Sequence, residues 1–301
     1  MFFDFSKEQY MARDSAREFL SNRLPTTRLR QVIATDTGLD RILWRELADL
    51  GWTSVLVPED AGGLGLGLLD LALLLEESGR ALVPGPLVET AVMLPIALAA
   101  GTPAQRQRWL PGVARGDVLA SVALMGAEGL PLPAGVPLEA RQVGTDWVLS
   151  GEVPCAPNVL LAAARTGAGD GENDLSLFLL EAGDPGVSWE PVVGLDPTTR
   201  LDVLRLEAVR VTADRVIGAP GRGRPTLERV FGAGATALAL QAVGGAAQAL
   251  EMAVAYAKVR QQFGKPIGSF QVIKHACADM LVAYETSRSA AYYAAWAVGA
   301  A

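Results

Sequence analysis

Residues 260–267 read Arg-Gln-Gln-Phe-Gly-Lys-Pro-Ile and place a guanidinium, two amides and an aromatic ring within four consecutive positions. They lie between two apolar helical patterns. Leu250, Val254 and Ala257 precede them, and Phe270, Ile273, Cys277, Met280 and Tyr284 follow, all at spacings of three and four. Gly264 and Pro266 predict the stop of the first helix, and Ser269 predicts the N-cap of the second. At a helix end, Arg260, Gln262 and Phe263 can point outward together. A guanidinium suits a pyrophosphate, and a ring suits a flat heterocycle. The same residues also read as a plain capped helix–loop–helix turn with a solvated arginine. Spacing alone leaves both readings open.

Other chemistries are harder to build from this composition. His275 is the single histidine, and Cys155 and Cys277 stand far apart with no histidine beside Cys155. A zinc site or a Ser-His-Asp triad is therefore not expected, and no metal ligands are assigned. The formal net charge of −7 leaves no basic surplus for phosphates, which argues against nucleic acid and against an anionic membrane surface. Gly232-Ala-Gly-Ala-Thr-Ala237 has the spacing G-x-G-x-x-A, but Thr226–Phe231 before it reads as helix rather than strand. Small residues at a close helix crossing are the expected reason for it. Val57–Leu66 is glycine-rich, yet it lacks a preceding βαβ context and a lysine, so it is a poor phosphate loop.

The texture of the chain changes twice. Residues 1–115 carry helical patterns, with Ser6 and Gln9 forming a capping box for a helix to about Leu24. Further helices are predicted over Leu39–Leu50, from Leu68 to about Ser78, over Val88–Ala100 and over Pro103–Ala114. Eleven of the 18 prolines then fall within residues 111–225. Between them lie short β-like runs: Val118–Leu124, Trp147–Leu149, Leu175–Leu180, Val187–Val193 and Leu201–Val211. They predict a compact barrel or sandwich. Gly167–Asp174 reads as a solvated hairpin tip. From Pro225 the pattern is helical again. Thr236–Ala257 contains Gln241, Gln248 and Glu251 and reads as a buried helix, not a membrane span. With no signal-peptide pattern at residues 1–8, a cytoplasmic location is the expectation.

The 260–267 turn, with Gln271 and then Ala278-Asp279-Met280 downstream, resembles the signature of the acyl-CoA dehydrogenase family. Pro58-Glu-Asp-Ala-Gly-Gly-Leu-Gly65 and Glu77-Ser-Gly-Arg80 resemble two further motifs of that family. The resemblance implies an α+β multidomain fold. Its parts would be an N-terminal α-helical domain (1–115), a small middle β-barrel (116–222) and a short, incomplete C-terminal helical bundle (223–301). It implies that Arg260, Gln262 and Phe263 reach the FAD of a neighbouring subunit. It also implies an acyl-CoA substrate and electron transfer to an electron-transfer flavoprotein.

The family reaction needs a carboxylate to remove the α-proton, a flavin to take the β-hydride, and hydrogen bonds to the thioester oxygen. Two parts of that set depart from the family pattern. One family position for the base lies on a loop beyond Ala301; the other aligns with Gly234, next to Ala235 where an arginine is common, so no catalytic residue is identified. Glu228, Glu251 and Glu285 read as solvated helix-surface residues. Met125–Pro131 and Cys155-Ala-Pro-Asn158 replace the side chains that the family sets around its own flavin. An intact cross-subunit turn beside a degraded local flavin site implies a heteromer with an acyl-CoA dehydrogenase partner subunit that holds most of the FAD. The alternatives are a non-catalytic scaffold without FAD and, as a weaker third, an independent flavoenzyme with a displaced base. The apolar face of residues 280–298 would be covered by a partner or by chain absent from this sequence.

Overall fold

The computed structural model describes residues 4–124, 135–155, 159–167 and 174–300. Six helices come first: α1 (Lys7–Arg23), α2 (Thr26–Ile33), α3 (Arg41–Asp49), α4 (Leu68–Arg80), α5 (Leu94–Ala99) and α6 (Pro103–Ala114). Eight strands follow: β1 (Ala120–Ala123), β2 (Leu138–Val143), β3 (Asp146–Cys155), β4 (Val159–Arg165), β5 (Leu175–Leu180), β6 (Val187–Val192), β7 (Leu201–Val211) and β8 (Val216–Ile217). The chain then forms α7 (Arg224–Val259), a hairpin of β9 (Gln261–Gln262) and β10 (Lys265–Pro266), and α8 (Gln271–Ala300). The helical, β, helical order expected from the sequence is the order found. By contacts the chain divides into two compact units.

The first unit comprises Met1–Leu29, Leu68–Val83 and Ala235–Ala301. The predicted capping box opens α1: the Ser6 hydroxyl accepts from the Gln9 N–H, and the Gln9 side chain accepts from the Ser6 N–H. Glycine decides how α4 meets α7. A Cβ on Gly79 would stand 1.9 Å from the Gln241 carbonyl oxygen, and one on Gly244 would stand 1.8 Å from that of Glu76. The two backbones touch, which only glycine permits. The crossing is flanked by charge. Arg17 clamps the buried Glu77 through both carboxylate oxygens, at 2.9 and 2.5 Å. Glu76, also buried, accepts from the Tyr284 hydroxyl at 3.2 Å, from Arg288 Nε at 3.1 Å and from the Tyr292 hydroxyl. The Glu77-Ser-Gly-Arg80 motif is thus a structural tie, with Arg80 pairing with Glu251.

The second unit comprises Arg30–Gly67 and Pro84–Gly234. Its sheet runs β6-β7-β3-β2-β4-β5-β8, with β1 pairing β4 in parallel. Alternate inward residues, among them Leu138, Trp147, Leu149, Val153, Leu160, Phe178, Leu204 and Val209, form its core. A π-helical turn, Glu89–Met93, precedes α5. Its cause is local. Pro95 has no N–H to donate, and the Leu94 N–H reaches back five residues to the Glu89 carbonyl instead. The Thr90 hydroxyl accepts from the Ala120 N–H at 2.9 Å and fixes this turn against β1.

One expectation needs correction. Ser269 does not cap α8: its hydroxyl donates to the Pro266 carbonyl at 2.7 Å, and the helix begins at Gln271. The G-x-G-x-x-A run lies inside α7 and follows helix, not strand, as expected. Among the described residues, α7 alone is long and apolar enough to cross a membrane by length and composition, and half of its most apolar window is buried inside the protein.

Candidate functional site

The turn singled out in the sequence is a tight hairpin. Gln262 pairs with Lys265 and Gln261 with Pro266, which leaves a two-residue loop of Phe263 and Gly264. Both loop residues have positive φ, +52° and +76°. Such loops favour Asn-Gly, because a β-carbon is strained in the left-handed region. Phe263 bears that strain, and it is 92% exposed. Its ring stands edge-to-face with Phe270, at 6.0 Å between centroids, while Lys265 Nζ lies 4.7 Å from the Phe270 ring. Arg260 anchors both ends: its N–H donates to the Tyr256 carbonyl at 2.9 Å, and its carbonyl accepts from the Ile267 N–H at 2.8 Å. The side chains of Arg260 and Gln262 are exposed. All three predicted residues therefore sit on one short, hydrogen-bonded hairpin that presents them to solvent. A strained, exposed aromatic residue is unfavourable for stability alone, and such outliers concentrate at functional sites.

Gly234, where the sequence resemblance implies a base, tells the opposite story. Gly234 is buried within α7, and a Cβ there would stand 2.8 Å from both Sδ and Cε of Met93. Met93, the last residue of the π-helical turn, fills the space that an acid side chain would need. Glu228 and Glu251 are more than half exposed and paired with Arg224 and Arg80, and Glu285 is exposed. The surface reading of all three stands.

A cleft of about 400 Å³ opens within the second unit. Glu89, at the start of the π-helical turn, lines it together with Ser121, Cys155 and Asp202. Burial pushes the Glu89 carboxyl up from the ordinary carboxylate range. Asp202 is raised by burial too, partly offset by Arg200. Burial, assisted by the Asp202 charge, pushes the Cys155 thiol up to about 12, so it is an unreactive thiol at neutral pH. Sequence reasoning did not single out Glu89. The signal available was that it is the single charged side chain among residues 83–100.

The glycine-rich loop is spent on itself. The Gly63 N–H donates to the Pro58 carbonyl, Gly65 to Val57 and Leu66 to Val55. No fan of free amides remains there to cradle a phosphate. The segments that would flank a local flavin, residues 125–131 and 156–158, lie outside the described residues, as do residues 168–173 of the acidic loop. Among the described residues no group of His, Cys, Asp and Glu could hold a metal ion.

Residues 6–117 match the acyl-CoA dehydrogenase N-terminal domain family, and residues 221–301 match the acyl-CoA dehydrogenase C-terminal domain family. Acyl-CoA dehydrogenase FadE34 of Mycobacterium tuberculosis is 39% identical over 257 residues, covering 85% of this chain and 31% of its own length. Acyl-CoA dehydrogenase IpdE2 of the same organism is 30% identical over 284 residues, covering 94% of this chain and 74% of its own. The chain therefore spans under a third of FadE34 and about three quarters of IpdE2. Among solved structures, a glutaryl-coenzyme A dehydrogenase–glutaryl-CoA complex aligns at a TM-score of 0.90 and 25% identity, over 98% of this chain and 78% of that one. PigA with FAD and proline gives 0.88 and 26%, over 98% and 80%. The ChsE4–ChsE5 complex from M. tuberculosis gives 0.88 and 27%, over 99% and 79%. With both terminal domains matched and a curated relative 30% identical across most of its length, this chain belongs to the acyl-CoA dehydrogenase family.

Proposed function

We propose that this chain takes part in FAD-dependent α,β-dehydrogenation of an acyl-CoA thioester as one subunit of a heteromer. Its role is to complete the FAD site of a partner acyl-CoA dehydrogenase. The observation that carries this reading is the exposed hairpin. Phe263 is held in a left-handed conformation at a solvent-facing tip, beside an exposed Arg260 and Gln262. These groups suit FAD held largely by another chain. The guanidinium pairs with a pyrophosphate, the amide donates to an acceptor, and the ring packs on the flat heterocycle. FAD, when bound, supplies the hydride acceptor. The residues of this chain orient the cofactor and exclude water from it; they move no proton. The partner supplies the base, because Gly234 cannot, and electrons leave to an electron-transfer flavoprotein. The pairing of ChsE4 with ChsE5 in a structure of the same fold supports a two-chain assembly. In this reading residues 1–115, 116–222 and 223–301 form its three domains, and the protein works in the cytoplasm.

The second reading is a scaffold that stabilises a partner and binds no FAD. The closure of Gly234 on Met93 favours it. Arg260→Ala and Phe263→Ala separate the two in the purified complex. Loss of flavin and of turnover with the complex still assembled supports the cofactor role. Unchanged flavin content and turnover leave only the scaffold.

A further inference from the structure

We propose that the close of α7, the hairpin and the first turn of α8 form a docking surface for an acidic face of the partner acyl-CoA dehydrogenase, gripped by Lys258, Lys265 and Lys274. The inference rests on the two-chain reading above and adds the chemistry by which that partner is recognised.

Charge is unevenly distributed along the chain, which carries 26 Lys and Arg against 33 Asp and Glu. Between Glu251 and Asp279 every charged side chain is a cation: Lys258, Arg260, Lys265 and Lys274. That leaves 22 cations against 33 acids elsewhere, so a basic end stands out from an acidic body. All four cations are exposed. Among the described residues, none of them pairs with a carboxylate. Surface arginines of the body do pair, Arg45 with Asp117 and Arg205 with Glu152 and Glu190 among them. Grouped, unmatched cations repel one another, and anions from outside the chain relieve that repulsion.

The fold brings these charges to one end of the first unit. Lys258 and Lys274 lie within about one turn of the hairpin on either helix. Gly268 closes the two helix ends on each other, since a Cβ there would stand 2.9 Å from the Ala257 carbonyl oxygen. The Lys265 ammonium rests over the Phe270 ring and is held at the surface. Apolar side chains stand among the cations: Val259 and Val272 are each 72% exposed and Tyr256 is 57% exposed. Apolar groups ringed by charge have the make-up of a protein interface. The FAD pyrophosphate accounts for Arg260, so the three lysines remain for carboxylates of the chain that holds the FAD. Two such basic ends repel each other, which disfavours pairing between copies of this chain through them.

The test measures assembly, not turnover. Dissociation of the purified complex with the partner acyl-CoA dehydrogenase is followed by sedimentation at about 0.05 and about 0.5 M NaCl, where its constant is expected to rise roughly tenfold or more. Lys258→Glu, Lys265→Glu and Lys274→Glu combined weaken assembly by roughly the same factor or more, and the three glutamine substitutions weaken it less. The same charge reversal at the exposed Arg30, Arg141 and Arg229 leaves it unchanged. Circular dichroism is expected to be the same for every variant. Assembly that ignores salt, or that falls equally with the reversal at Arg30, Arg141 and Arg229, overturns the proposal. Lysine-dependent self-association of the chain alone overturns it in favour of a second copy. Lysine-dependent binding to phosphatidylserine–phosphatidylcholine vesicles overturns it in favour of a membrane. If assembly needs the lysines while flavin content ignores Arg260→Ala, the docking surface stands and the cofactor reading falls. If Arg260→Ala strips flavin from a complex whose assembly ignores the lysines, the docking surface falls and the cofactor reading stands.

Discussion

Helix α7 leads to one site that is open and furnished, and passes through another that is closed and bare. Just beyond its C-terminal end, the hairpin exposes an arginine, a glutamine and a strained phenylalanine. Nearer its start, Gly234 is shut against Met93 at the position where the family resemblance implies a base. The first arrangement is unfavourable for this chain's own stability. The second is favourable for packing and useless for proton transfer. In the proposed heteromer, the groups that orient the cofactor lie on this chain and the groups that do the chemistry lie on its partner.

The comparison can be broken from its closed side first. Gly244→Leu places side-chain atoms against the Glu76 backbone, where nothing flexible can yield. It should cost more than about 3 kcal/mol or prevent folding, as a shift of the urea unfolding midpoint will show. Gly234→Glu meets a thioether that can move, so about 1–3 kcal/mol is expected. It should also leave the isolated chain without dehydrogenase turnover. Turnover in that variant would mean that only the carboxylate was missing.

Glu89 gives a pH test of the cleft. Its pKa is raised in the folded chain, so the folded state holds the proton more tightly than the unfolded one. Stability is therefore greater below the ordinary carboxylate pKa and falls as pH climbs from there through the raised value. Glu89→Gln should flatten that part of a stability–pH curve. The smallest effect belongs to the open side. Phe263→Asn relieves left-handed strain at an exposed tip and should stabilise the chain by about 0.5–1 kcal/mol, visible as a small rise in Tm. The same change should weaken flavin retention in the complex. A variant more stable and less functional is the sharpest form of the contrast.

What the sequence made readable follows from how local each signal is. The turn between α7 and α8, the Ser6–Gln9 capping box and strands β5 and β7 are set by neighbours in sequence, and they appear where expected, although the turn's β pairing was not foreseen. Strands β2 and β4 were not readable. Leu-Glu-Ala-Arg-Gln-Val and Val-Leu-Leu-Ala-Ala-Ala-Arg have helical composition and become strands because β3 and β5 pair with them. Helix α2 was also missed, and its eight residues offer little periodicity to read. The Gly79–Gln241 and Gly244–Glu76 contacts join residues more than 160 positions apart, so no window along the chain could reveal them. The same holds for Glu76, whose partners Tyr284, Arg288 and Tyr292 lie over 200 positions away. Glu89 was visible as a lone charge, but its cleft was not.

The visible absorption spectrum tests the central claim most directly. It is recorded on the chain purified alone, and on the chain co-purified with its partner acyl-CoA dehydrogenase, with and without Arg260→Ala. A colourless chain, a yellow complex and an Arg260→Ala complex depleted of flavin are the predicted results. Flavin bands in the chain alone, or a complex whose flavin ignores Arg260→Ala, would contradict the account.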